Sequence, residues 1–343
     1  MWFGLFGSTQ VKRGDSLDGS HGFSRFIDYN VEAEALGFHS SFVVEHHFTG
    51  FGQVSATLTL LAWLGARTTT LRLGTAVIVL PWHNPILLAE QAATIDLMTG
   101  GRLDLGIGKG YRYNEFAGFG IPMEDADSRF EESLELLLRS WTGEERWSHK
   151  GRFYSFEDVV VEPPSVQKPH PPIWMGAGSQ RSLDMVAQRG FNLLLDQISP
   201  IDAAIERFAY YRGRVQALGR PFNPYQVGLS RGLYVARDAA DRDAAIERRI
   251  AARARIDALA QRPDGKNTAS LLSFDLGDAV RDGVLFGTVD EIAARIERLH
   301  KAGVRYMLVT DGGSGIEGLR TFAREIIPAF ADPEDATLAA AAE

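Results

Sequence analysis

The chain predicts a (β/α)8 barrel, and three observations carry that expectation. Eight apolar, strand-like runs alternate with helical ones along 343 residues. Each run is apolar on both faces, as a parallel sheet covered on both sides requires. No Pro/Gly-rich linker divides the sequence, and its length suits one barrel of about 250 residues with insertions better than a doubly wound open sheet. A single domain is expected over 1–332, followed by an alanine-rich tail at 333–343 that frays.

The elements follow in order. WFGLFGS at 2–8 is a short buried strand, and 22–37 carries apolar residues at helical spacing. SSFVV at 40–44 is strand-like, 54–66 helical, and TLRLGTAVIVL at 70–80 continuous and β-branched. The helix at 85–98 ends at Gly100 and Gly101, a C-terminal glycine pair. RLDLGIG at 102–108 is the next strand and 124–142 the next helix. Residues 145–171, ending in EPPSVQKPHPP, are too proline-rich for an element interior and read as an insertion carrying a hairpin. The alternation resumes with strand 172–177, helix 179–189, strand 191–195, helix 201–218, strand 225–236 and helix 238–261. Residues 262–285 are polar and weakly periodic, a lid-like segment, and 289–330 supplies the closing helix, strand and helix.

Composition excludes several functions. The net charge of −8, with no basic block, argues against nucleic-acid or anionic-membrane partners. The absence of cysteine removes disulfides, thiolate nucleophiles and cysteine-held metals. No apolar run approaches the roughly 18 residues of a membrane span. The N-terminus lacks the pattern of a signal peptide, so a cytoplasmic location is expected.

In a barrel, chemistry collects at the C-terminal ends of the strands. Glu45, His46 and His47 leave strand two there, Lys109, Tyr111 and Arg112 leave strand four, and Gly178, Ser179 and Ser182 leave strand five. EHH lacks the spacing of a helical zinc motif, and adjacent histidines at a strand end point to opposite sides, so no metal site is expected. One histidine facing the mouth would be an acid/base near neutral pH; otherwise both are ordinary packed or capping residues. GAGSQRS at 176–182 can close backbone and hydroxyls around a phosphate, with Lys109 nearby, or simply cap a helix. The small residues of GTAVIVLP at 74–81 allow a flat ligand or an unusual peptide geometry, or taper the barrel interior.

EHHFTGFG, followed by LRLGTAVIVLPWHNPILLAEQAATIDLMTGGRLDLGIGKGYRYNEFAGFG, closely resembles the bacterial luciferase-like flavin monooxygenases, in particular the luciferase α chain. The resemblance runs from Phe3 to about Asp196 and returns weakly at 286–309. It implies a homodimeric barrel that binds reduced FMN (FMNH2), or in some branches a deazaflavin, at its mouth. By position, His46 resembles the histidine that supports flavin C4a-peroxide chemistry, with Glu45 expected to set its tautomer. Ala76 and Val77 match a pair joined by a non-proline cis peptide under the flavin ring. Lys109, Gly178, Ser179 and Ser182 match phosphate-binding positions, and Phe6 an aromatic position on the pocket floor.

The departures from the family pattern are specific. Gly108 stands where luciferase carries a reactive cysteine, and Gln197 replaces a tryptophan of its pocket, which argues against a long-chain aldehyde and light emission. The segment 262–285, with Lys266, Asn267 and Asp275, lies where the family carries a mobile loop. The implied reaction is insertion of one atom of O2 into a small organic substrate, with FMNH2 delivered by a separate flavin reductase. No nicotinamide-binding GxGxxG unit is present, in keeping with reductant from outside. A flavin- or deazaflavin-dependent reductase or dehydrogenase, and a non-catalytic flavin-binding relative, are the alternative expectations.

Overall fold

The computed structural model describes residues 1–11, 20–143, 145–259, 261–265 and 274–331. The expected roles of Lys266, Asn267 and the tail at 333–343 lie outside the described residues.

Eight parallel strands close into a barrel: β1 (Trp2–Gly7), β2 (Ser40–Val43), β3 (Arg72–Thr75) extended by β4 (Ile78–Val79), β5 (Leu103–Gly108), β8 (Ile173–Gly176), β9 (Asn192–Leu195), β10 (Val227–Val235) and β12 (Tyr306–Asp311). The ring closes through β1 and β12, with Trp2 opposite Tyr306 and Leu5 opposite Val309. The expected barrel is therefore the observed fold.

Two layers of apolar side chains explain why the strands are apolar on both faces. Alternate residues such as Leu5, Leu73, Leu105 and Leu229 point outward and pack against the surrounding helices in one continuous core. The other set fills the interior. Phe42, Trp174, Leu194, Tyr306 and Leu308 are buried there, with Phe6, Ala76 and Val77 packed over them and still partly exposed. Phe42 and Trp174 meet edge to face with centroids 5.4 Å apart. The barrel is thus plugged, and its upper plug surface is apolar.

The helices are α1 (Ser20–Ala35), α2 (Thr57–Arg67), α3 (Pro85–Met98), α5 (Ala126–Thr142), α6 (Gln180–Arg189), α7 (Ile201–Ala217), α8 (Ala239–Ala258), α10 (Val289–Lys301) and α11 (Gly315–Glu325). Several starts are legible in local chemistry. Asn84 accepts from the amides of Ile86 and Leu87 and is followed by Pro85 at the first helical position. Thr288 and Glu291 form a capping box at α10. The expected insertion is an antiparallel hairpin, β6 (Trp147–Lys150) with β7 (Ser155–Val159).

Three departures from the sequence reading concern short elements. The run expected as one strand at 70–80 is broken between β3 and β4, where the Ala76–Val77 peptide is cis. The chain bends there so far that a Cβ on Gly106 of the neighbouring β5 would stand 1.8 Å from the Thr75 carbonyl oxygen. Only glycine tolerates that approach. A one-and-a-half-turn helix, α4 (Tyr113–Gly118), follows β5 without having been expected. Between 274 and 287 the weakly periodic segment holds α9 (Leu276–Gly283), capped by Asp275, and a three-residue strand β11 (Leu285–Gly287) beside the end of β10.

Candidate functional site

The site is built where β2, β3–β4 and β5 leave the barrel. Glu45, His46 and His47 follow β2 directly, and two buried carboxylates divide the histidines between them. His46 Nδ1 lies 3.1 Å from Glu115 Oε1, an oxygen that also accepts the His47 backbone N–H at 2.9 Å. Glu45 turns the other way: its Oε1 is 3.1 Å from His47 Nε2 and 2.7 Å from His83 Nε2, while Oε2 accepts the Val79 N–H at 2.8 Å. The expectation that Glu45 sets the tautomer of His46 is therefore corrected. Adjacent residues project to different sides, so Glu45 cannot reach its neighbour's ring, and Glu115 at the start of α4 does so instead.

Electrostatics separates the two groups. Burial raises the Glu45 carboxyl, yet hydrogen bonds from His47 and His83, the His83 charge and the Val79 amide outweigh it and hold the group at about 2. Burial depresses the His46 imidazole; the hydrogen bond to Glu115 opposes this, and the Arg112 guanidinium reinforces it, with the net shift downward. A neutral His46 with its proton on Nδ1, towards Glu115, turns an acceptor Nε2 away from that carboxylate. Arg112 is 2 % exposed; its Nε donates to the Tyr111 hydroxyl, while Nη1, 3.8 Å from Glu115, finds no hydrogen-bond acceptor among the described residues.

His47 is the packed neighbour: it meets Trp82 and Phe119 edge to face, with centroids 5.5 and 4.8 Å apart. Among the described residues no three His, Asp or Glu side chains could hold a metal ion.

The other predicted residues occupy the same mouth. Phe6, Ala76 and Val77 form its partly exposed apolar floor. Gly108 lies beside them, since a Cβ there would be 2.6 Å from Val77 Cγ2. Ser179 and Ser182 form a capping box at the start of α6: Ser182 Oγ accepts from the N–H groups of Gly178 and Ser179 at 3.2 and 3.0 Å. Lys109 leaves the adjacent strand β5 on the exposed rim and donates to Asp127 at 2.7 Å. Gln197, beyond β9, accepts from Arg249 Nη2 at 2.6 Å.

A family model described as luciferase-like monooxygenase matches residues 1–306. The chain belongs to that family. This bears out the resemblance read from the motifs, and with it a flavin-dependent monooxygenase. The luciferase-like chain is 29% identical over 343 aligned positions to an FMNH(2)-dependent dimethylsulfone monooxygenase of Pseudomonas putida, covering 92% of this chain and 91% of that one. It is 26% identical to the oxygenase component of a flavin-dependent trigonelline monooxygenase of Acinetobacter baylyi, with 90% of each covered. The crystal structure of monooxygenase RslO1 from Streptomyces bottropensis superposes with a TM-score of 0.81 at 28% identity, over 96% of this chain and all of that one.

Two residues of this luciferase-like site escaped the sequence reading. Glu115 is buried beside Phe116 on α4, an acid in an otherwise aromatic, glycine-punctuated stretch, which is the one local cue to it. His83 shows no ligand spacing and joins the site only through Glu45.

Proposed function

We propose that this chain is the oxygenase component of a two-component monooxygenase that uses FMNH2 from a separate reductase to insert one atom of O2 into a small organic substrate. The observation that carries the reading is the pair of a half-buried His46 and a buried Glu115 at the barrel mouth, next to a floor that suits a flat ring. That floor tests the fit: Phe6, Ala76 and Val77 offer partly exposed apolar surface, and Gly108 adds no side chain above Val77. The donor set on the rim suits a phosphate. Ser179 and Ser182 present hydroxyls, the first N–H groups of α6 lack intrahelical acceptors, and Lys109 supplies a charge. When bound, a reduced flavin supplies the electrons that activate O2.

The protein's own residues do the rest. Glu115 fixes the ring of His46 and the tautomer in which Nε2 can take up a proton from substrate or flavin. Arg112 favours the neutral ring until that transfer. Phe48, Phe119 and Trp82 stand around His47 as an aromatic wall that limits water on this side. The names of relatives matched over nine-tenths of their length favour oxygen insertion over an oxygen-independent reductase. A homodimer is supported by the neighbouring helices α2 and α3, which leave Trp63, Leu87 and Met98 exposed by 40, 52 and 62 %.

The test is His46→Ala. FMN affinity should stay within a few-fold, while oxygen consumption continues and yields hydrogen peroxide in place of oxygenated product. Unchanged coupling with a turned-over substrate would remove His46 from the chemistry.

A further inference from the structure

Opposite His46, four strands round the ring from β2, β9 leaves the barrel and the middle of α8 reaches it. Arg249 donates from Nη2 to the neutral amide oxygen of Gln197. Arg253 stands one turn further along α8 on the same face, and only 7 % of it is exposed. Its Nη2 is 2.6 Å from Asp257 Oδ1 in a geometry that makes no hydrogen bond, and neither Nε nor Nη2 finds an acceptor among the described residues. Among the described residues, the two guanidinium groups therefore share one carboxylate and one neutral amide. Burial pushes Arg249 down to about 10, and the Arg253 charge pushes in the same direction. Buried cations are ordinarily matched by anions, so a surplus of positive charge at a barrel mouth marks a place where a ligand completes the match.

We propose that Arg249 and Arg253, with Gln197 orienting Arg249, bind the carboxylate or sulfonate of an organic-anion substrate. The proposal rests on the reading of the mouth as an oxygenation site and adds the substrate class to it. Were Ala76 and Val77 to hold a flavin ring and Lys109 and Ser179 its phosphate, the β9–β10 side of the mouth would be left for the substrate. The planar guanidinium fork suits the two oxygens of a carboxylate or sulfonate, and a site with fixed cationic donors rejects a neutral isostere.

Calorimetric titration of the FMN-saturated protein with benzoate, benzenesulfonate and neutral benzamide tests this, with inorganic phosphate as a further arm. Benzoate and benzenesulfonate should bind about tenfold or more tightly than benzamide, less so at high salt. Their affinity should fall about tenfold in Arg253→Gln and in Arg249→Gln and recover in part in Arg253→Lys, with FMN affinity unchanged. Equal binding of benzoate and benzamide, no measurable anion binding, or unchanged anion affinity in both glutamine variants overturns the proposal. So does a loss of FMN and phosphate affinity in these variants, which would make the pair a flavin-phosphate site. Should Arg253→Gln fail to fold, Arg249→Gln carries the test, because its removal strands only a neutral amide. Failure of the flavin reading shows separately, as wild-type protein that binds benzoate over benzamide but no FMN.

Discussion

His46 Nδ1 lies 3.1 Å from Glu115 Oε1, although 69 residues separate the two in the chain. The contact joins the exit of β2 to the helix after β5 and gives the candidate acid/base a fixed orientation. Glu115→Gln keeps an acceptor but removes the charge that opposes burial and Arg112. The His46 pKa, already below its ordinary value, should fall further. The acid limb of kcat/KM should move to lower pH, and kcat should drop about tenfold as the tautomer loses its preference. A pH–rate profile with a limb that stays put or moves upward would contradict this.

Glu45 predicts a stability effect with a defined sign. Its carboxyl is held at about 2 in the folded protein against an ordinary 4.5. The stabilisation is therefore complete above about 4.5 and is lost as pH falls towards 2. Glu45→Gln should cost on the order of 3 kcal/mol at pH 7, because His47 and His83 lose a buried partner. Urea unfolding at pH 7 and pH 3 should show the gap between wild type and variant narrowing in acid.

Gly108 and Val77 should behave as a coupled pair. Gly108→Ala places a methyl 2.6 Å from Val77 Cγ2, so the floor must shift. FMN affinity should fall about tenfold, and Val77→Ala should restore most of it in the double variant. Fluorescence titration of all four proteins gives the coupling; additive losses would show that the two do not share one space.

Ser179 separates two roles by choice of replacement. Ser179→Ala should cost the α6 cap about 1 kcal/mol, whereas glycine costs only a few tenths. If the hydroxyl also meets the flavin phosphate, Ser179→Gly combined with Lys109→Ala should weaken FMN binding while the thermal midpoint hardly moves. Wild-type affinity in that variant would leave Ser179 a helix cap and nothing more.

The barrel was legible because several of its strands are buried on both faces and so depart from alternation, as NLLL at 192–195 and YMLV at 306–309 do. The elements that escaped, α4, α9 and β11, have six, eight and three residues. They are too short for a helical or alternating period to declare itself. EHH was legible by its position after β2, but its partners were not. No spacing rule links the loop after one strand to the helix after another, so the exchange of Glu45 for Glu115 beside His46 emerges only once the ring is closed. Arg249 was hidden likewise, one arginine among several on a highly charged helix until Gln197 is placed beside it.

The hairpin after α5 carries a consequence beyond its own contacts. Tyr154 donates from its hydroxyl to the His83 carbonyl at 3.0 Å, and its backbone N–H donates to Glu132 of α5. His83 in turn holds Glu45, and Glu45 holds His47. An appendage outside the barrel ring thereby helps to set the histidine cluster at its mouth. A change in the hairpin can shift the His83–Glu45–His47 chain that flanks His46 while every barrel strand stays the same, so one wall of the mouth answers to a segment that takes no part in closing the ring.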